Sequence, residues 1–554
     1  MRKLKALSSK LVSEHPLAVG FVALAVIVRI VFWIYTDRTW EDALITLTPA
    51  RNAWLGYGLT HHLSEPRVHS FTSPISVLVP LLGEAFGLGL TLLKLTALAA
   101  SAITIVCAYA IGKRLAFPWP AQVLLLGYLA TDQLQIFFGM AGMETQIATT
   151  LSLAIVYCLL AERWLALGLL TGLGLLTRPE FALWAPVAVA AVAIKSPHKL
   201  VASAGAFVAV TVPWAIFAYL YYGSVVPNTI VAKSRSGRFG PFTAPFSTIE
   251  AYFIDSWKSI APFKEWFFVS QAPLPTWLIA AAVAIVLSLA LIGIFAALRA
   301  RDWKLLAVAS VLIGFIVYRS ATVLSTYFMW YLPPFAALLF LLAAYGLSRI
   351  SDVQRGLAAA LGCGVAALYA WHIPFSFPIE KTVQAGIECD VRYRTGLRLN
   401  ALMSQNDTVA LEPLGYIGFA AYNKTIYDYP GLGSPITVKA LSGKDNESLY
   451  EIIRALNPSY LVLRPIEVKR FHEKTPEAAA RYVLVDSVTA RPDLRLERWG
   501  YDSSGNLAAD GTFLIYRNVA LAAGASPQVD PASPVMRSEE HTSELQSPMY
   551  LVCR

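Results

Sequence analysis

At 554 residues the chain is 56% hydrophobic and only 15% charged, with a mean hydropathy of +0.54, a balance that excludes an ordinary soluble globule and fits a polytopic membrane protein. Its net charge of +9 falls in short basic clusters between apolar runs, which marks membrane topology and excludes a nucleic-acid-binding patch. Five cysteines, Cys107, Cys158, Cys363, Cys389 and Cys553, show no metal-ligand or CxxC spacing and imply no disulfide framework.

The first apolar run, Pro16 to Tyr35, follows a basic stretch but lacks a small-x-small cleavage pattern, so it reads as a retained span. Runs of crossing character recur near 90–112, 117–134, 146–162, 164–177, 181–195, 200–222, 276–298, 304–319, 328–348 and 356–373. With the first they predict a mainly α, polytopic helical bundle of about eleven spans. Ser73 to Phe86, bounded by Pro74 and broken by Pro80, Gly83 and Glu84, is shorter and reads as a half-depth or strongly tilted helix.

Basic residues mark every second loop: Lys113-Arg114, Arg163, Lys195 with Lys199, Arg299 with Arg301 and Lys304, and Arg349 with Arg355. Taken as cytoplasmic, these loops set the N-terminus inside and the C-terminal part outside, provided 73–86 does not cross, the favoured option, or a short run near 164–177 does not. The unusual charged motifs then gather on one outward face.

After Pro374 the character changes. Strand-like runs at Thr408 to Leu411, Tyr460 to Leu463, Tyr482 to Val485 and Thr512 to Tyr516, with a helical Glu447 to Leu456 among them, predict a small α/β domain. The chain thus divides into a membrane module over 1–373, with 37–72 as its first outward loop, and an extracytoplasmic α/β domain over 381–518. Residues 519–536 read as a disordered tail. The stretch Arg537 to Ser547, RSEEHTSELQS, resembles the conceptual translation of a sequencing adapter, so 537–554 is set apart as an artefact.

Chemistry concentrates in the first outward loop. Glu41 and Asp42 follow the first span directly, at the lipid–water boundary, where carboxylates need solvent or a partner. They are either a functional pair or incidental acids of a solvated loop. Residues 43–55 fit an amphipathic helix lying on the membrane surface, which would set Asp42 at a helix N-terminus, where an anion is favoured and can serve as a base. Arg178 and Arg319 end apolar runs on the outward side, where snorkelling to water is the plain alternative to a binding role. His61-His62 lacks a third ligand at metal spacing and reads as a solvent-facing pair. Trp40, Trp54 and Tyr57 are either sugar platforms or interface anchors.

The order WEDALITLTPARNAWLGYGL, HSFTSPISVLVPLL, GMET, GLLTRPE and YYGSVVPNT followed by Lys233 resembles the bacterial branch of the GT-C superfamily over roughly residues 16–430. These are multi-span glycosyltransferases that use polyprenyl-phosphate-linked sugars, here most similar to the mycobacterial-type arabinofuranosyltransferases; protein O-mannosyltransferases and lipid A aminoarabinose transferases are more distant. Each motif alone is weak, and their order and spacing carry the resemblance.

The resemblance implies a bacterial plasma-membrane enzyme that moves a sugar from a polyprenyl-phosphate donor to a cell-envelope glycan or glycolipid, with inversion. Asp42 would be the base, with Glu41 as second choice. Arg178, Lys233, Arg235 and Arg319 would meet the donor phosphate, and Glu144, Trp40 and Tyr57 would position sugar or acceptor, Glu144 otherwise pairing with Arg178. No ligand set for a metal is visible, and the family leaves dependence on a divalent metal open. Gly415 to Gly418 and Tyr427 to Leu432 resemble turn and packing segments of these relatives, with Asp428 a remote candidate near the acceptor path. The rival reading is a transporter or flippase of lipid-linked glycans, which would show charges or broken helices at mid-membrane and related halves; the sequence displays neither. A scaffold presenting the outer domain is the third.

Overall fold

The computed structural model describes residues 13–63, 66–235, 261–262, 274–322, 329–422, 424–442, 448–492, 510–522 and 553. Each of the eleven apolar runs carries a helix, because a long unbroken apolar stretch can satisfy its backbone in lipid only by coiling. Among the described residues six helices are long and apolar enough to cross a membrane alone, beginning with Pro16–Thr36 and Gly89–Arg114, and a bent pair, Trp119–Thr131 with Gln133–Met140, makes a seventh if it is one span. Thr145–Leu160, Trp164–Thr177 and Ile75–Glu84 are shorter, the last as the prolines and glycine of 73–86 predict.

The bent pair turns by 42° at Asp132, whose carboxylate caps the second helix by accepting from the amides of Leu134 and Gln135. The break exposes carbonyls inside the bundle, and Arg29, wholly buried in the first span, answers them. Its terminal nitrogens donate to the carbonyls of Leu129, Ala130 and Gln135 and to Gln146 Oε1 at 3.1–3.2 Å. A mid-span charge and a broken helix are therefore both present, contrary to the sequence reading. Those nitrogens are engaged by the protein itself, so Arg29 has the form of a brace, not of a substrate contact.

The C-terminal part opens on a continuous helical stretch, Ile373–Val383, a π-helical Gln384–Tyr393 and Arg394–Leu402. A five-stranded sheet follows, with β1 Thr408–Leu411, β2 Thr425–Asp428, β3 Tyr460–Leu463, β4 Tyr482–Thr489 and β5 Thr512–Asn518 in the order β2-β1-β3-β5-β4. β1 pairs parallel to β2 and β3, and β5 runs antiparallel to β3 and β4. Four of these strands fall on predicted runs. A disulfide joins Cys389 to Cys553, a pairing that spacing did not suggest and whose second member lies in the segment set apart above.

The helix after the first span, Glu41–Trp54, is not a surface helix. Leu44 and Leu47 pack with Tyr416 and Phe419, Ile45 joins the core of the sheet domain, and Thr48, Arg51 and Asn52 are buried too. Its polar face meets protein groups: Asn52 donates to the carbonyls of Thr60 and His61, and Arg51 donates to the Phe419 carbonyl and lies 4.1 Å over the Phe419 ring. What looks like one apolar and one wet face is a helix clasped on both sides.

Gly415 marks the closest approach of that clasp. A Cβ there would stand 2.2 Å from Glu41 Cγ and 2.3 Å from its carbonyl oxygen. Gly415→Ala is expected to cost about 1–3 kcal/mol through overpacking, read as a lowered midpoint in thermal unfolding.

Candidate active site

Trp40, extended at φ −80 and ψ 146, caps the helix Glu41–Trp54 and leaves Glu41 and Asp42 in its first turn. The exposed amides of that turn favour negative charge. The indole of Trp40 packs edge-on against Phe137 and Phe138 and beside Trp330, and its amide donates to the Ala141 carbonyl at 2.8 Å. The GMET bend presses on the same turn: Gly142 has φ +83, and a Cβ on it would meet Ala43 Cβ at 3.1 Å. Glu144 is thereby brought to Asp42.

The two acids diverge. Glu41 is ion-paired to Arg392 at 2.6 Å and accepts from the Gly415 amide at 3.2 Å. It belongs to a buried charge chain in which Arg38 bonds Glu380 and Glu388 at 2.9 Å each, and Arg392 bonds Glu388 at 2.9 Å and Asp510. Asp510 also pairs with Arg464, which pairs in turn with Glu412 and with Glu467 at 2.8 Å. Lys94 closes the near end by donating to the Arg38 carbonyl at 3.0 Å and to Thr39 Oγ1 at 3.1 Å. The chain binds the turn after the first span to the sheet domain, and Glu41 is a link in it.

Asp42 is different. It is half-buried, and among the described residues it makes no hydrogen bond or ion pair. Burial pushes its carboxyl up to about 6; Lys233 opposes this, and Glu144 adds to it. Lys233, on Asn228–Arg235, is itself lowered by burial while Asp42 and Glu180 hold it up. Arg178 ends the helix Trp164–Thr177 and donates to Glu144 Oε1 at 2.7 Å and Glu180 Oε2 at 3.4 Å, its guanidinium 4.3 Å over the Tyr331 ring. Asp42, Lys233, Glu144, Arg178 and Glu180 thus form one cluster of mutually felt charges. It holds two cations and a carboxylate that no donor among the described residues occupies.

Of the other candidates, Tyr57 lies at 49% exposure after the helix. Arg235 and Arg319 fall on helical backbone whose side chains lie outside the described residues. Asp428 is buried and accepts from the amides of Leu432 and Gly433, a turn role. His61 and His62 do not face solvent: each is 2% exposed, their rings 4.7 Å apart beneath Gly433. Burial lowers both imidazoles, His62 to about 4, so the pair is neutral. Among the described residues no group of three or more His, Cys, Asp or Glu could hold a metal ion.

Comparison with solved structures decides the architecture. ArnT from Cupriavidus metallidurans bound to undecaprenyl phosphate superposes with a TM-score of 0.52 at 14% identity, over 92% of this chain and 99% of that one. Its apo state gives the same score and identity over 93% and 100%. The chain has the ArnT fold. The fold expected from the order of its motifs is borne out, and with it a mainly helical membrane module carrying a small sheet. A family model described as a domain of unknown function (DUF8728) matches residues 383–516, which begin at the end of Ile373–Val383 and close within β5. No curated protein matches the chain. Within the ArnT fold, the Asp42 cluster lies where the first span ends and the sheet domain docks.

Proposed function

We propose that this chain is an inverting glycosyltransferase of the bacterial plasma membrane. It would take a sugar from a polyprenyl-phosphate donor and pass it to a cell-envelope glycan or glycolipid on the outer face, with the N-terminus cytoplasmic and the sheet domain extracytoplasmic. The observation that carries this reading is Asp42, a half-buried carboxylate with no hydrogen bond or ion pair among the described residues, which feels the charge of Lys233 in a mixed cluster of acids and two cations. That ArnT, of the same fold, binds undecaprenyl phosphate supports the choice of donor.

The chemistry follows from the charges. Asp42 takes the proton of an acceptor hydroxyl as its oxygen attacks the anomeric carbon. The bond from that carbon to the phosphate oxygen breaks, and the pair of electrons leaves with the polyprenyl phosphate. Lys233 balances the charge that develops there. Arg178, already held by Glu144 and Glu180, acts from behind and keeps Glu144 in place beside the sugar.

A base raised to about 6 is stronger than an exposed aspartate yet ionised at neutral pH. Activity therefore falls as pH drops through about 6, because protonation removes the base. The expected kcat/KM profile has an acid limb there, and a profile flat across that region takes Asp42 out of the role. The reading itself is tested with purified protein, a radiolabelled polyprenyl-phosphate sugar and envelope glycan acceptors. Label moving to the glycan supports it, whereas label crossing the bilayer in proteoliposomes without transfer replaces it with transport.

A further inference from the structure

At the far end of the first span from Asp42 the bundle carries a groove of about 870 Å³ between Pro16–Thr36, the last turns of Gly89–Arg114 and Tyr157. Val19, Val22, Val26 and Val106 form its apolar walls. Its polar features gather at one end: His15 Nδ1 and the Tyr109 hydroxyl lie 3.2 Å apart, and Lys113 and Arg114 stand exposed at the rim. No acid lines it among the described residues. Arg114 is held by donation from Nε to the Leu160 carbonyl at 3.2 Å, and Glu162 at the same end is paired to Lys304 at 2.8 Å.

The helix that runs from the basic end of this groove toward the Asp42 cluster has 21 residues, roughly 30 Å at 1.5 Å per residue, which is the thickness of the hydrocarbon layer. The groove therefore cannot supply a phosphate to the cluster. We propose that it binds an anionic phospholipid of the opposite leaflet, an acyl chain along the valines and the headgroup phosphate on Lys113 and Arg114 beside the His15–Tyr109 pair. Any lipid chain wets such walls; selection comes from the two cations at headgroup depth, since basic pockets between spans favour anionic headgroups.

The test is native mass spectrometry of the purified full chain offered equal phosphatidylglycerol and phosphatidylcholine. The expected result is retention of phosphatidylglycerol over phosphatidylcholine by roughly tenfold. Lys113→Gln with Arg114→Gln, both exposed and compatible with the fold, brings the ratio to about one. Val106→Trp, on the exposed wall, loses both adducts while the thermal unfolding midpoint is kept. Equal retention by the unmodified chain, or a ratio unmoved by the double substitution, overturns the proposal. So does displacement of phosphatidylglycerol by polyprenyl phosphate, or a dimer that Val106→Trp dissolves, since these make the groove a donor site or a self-contact.

Discussion

Asp42→Asn is expected to lower kcat by about 10²–10⁴, the usual contribution of a general base, while the protein expresses, folds and binds its lipid donor. The substitution keeps the size of the side chain and removes both its capacity to take a proton and its negative charge. Because Asp42 opposes a buried Lys233, loss of its charge leaves that ammonium less well partnered within the protein, and an anionic donor meets a less neutralised cation. KM for the donor should therefore hold or fall as kcat collapses, the signature of an interaction made in the transition state. A rise in donor KM with kcat intact would make Asp42 a binding residue, and full activity would end the assignment. Glu41→Gln separates the neighbours: Glu41 is tied to Arg392 and Gly415, so its loss should appear first as lower stability.

Much of the architecture was legible because membrane helices are written in one dimension. All eleven apolar runs carry helices, six of them among the described residues long and apolar enough to cross alone, and Ile75–Glu84 is short, as expected of a run broken by Pro80 and Gly83. β2 went unseen: Thr425–Asp428 is four residues between a turn and a proline, with nothing local to mark it until β1 supplies the pairing. The surface placement of Glu41–Trp54 failed for a similar reason, since the cover over its second face comes from residues 414–420, far away in sequence. Asp42 and Arg178 could be singled out by position at helix ends. That Asp42 would face Lys233, and Glu41 would not, depends on three segments meeting. One further signal lies in the sequence: Glu380, Gln384, Glu388 and Arg392 recur at steps of four, a polar stripe on one helical face directly after an apolar run. Such a stripe calls for buried partners, and Arg38, Thr39 and Glu41 are those partners.

Arg392→Met should be the most destabilising single change in the C-terminal part. Arg392 is the shared counter-ion of Glu41, Glu388 and Asp510, and removing one partner of a buried ion network costs about 3–5 kcal/mol because the stranded charges remain. The loss should depend on pH in a definite sense. In the unmodified chain Asp510 is held below the usual carboxylate range by Arg464 and Arg392 against the effect of burial. That contribution is present above the unfolded-state value and is lost as pH falls through the folded one. In the variant Asp510 keeps Arg464 but loses one of the two cations that hold it down, so its carboxyl rises, the folded form binds protons more readily and the deficit narrows as pH falls. Denaturant unfolding of both chains at neutral and acid pH measures this, and a deficit constant with pH would mean that Arg392 contributes by packing alone. The same substitution reaches the candidate base without touching it. Arg392 is one of the charges that lower the Asp42 carboxyl, so its removal should move the acid limb of the activity profile to higher pH. A purely structural arginine would cut activity at every pH and leave that limb where it was; movement of the limb means that the docked sheet domain sets the basicity of the residue at the start of Glu41–Trp54.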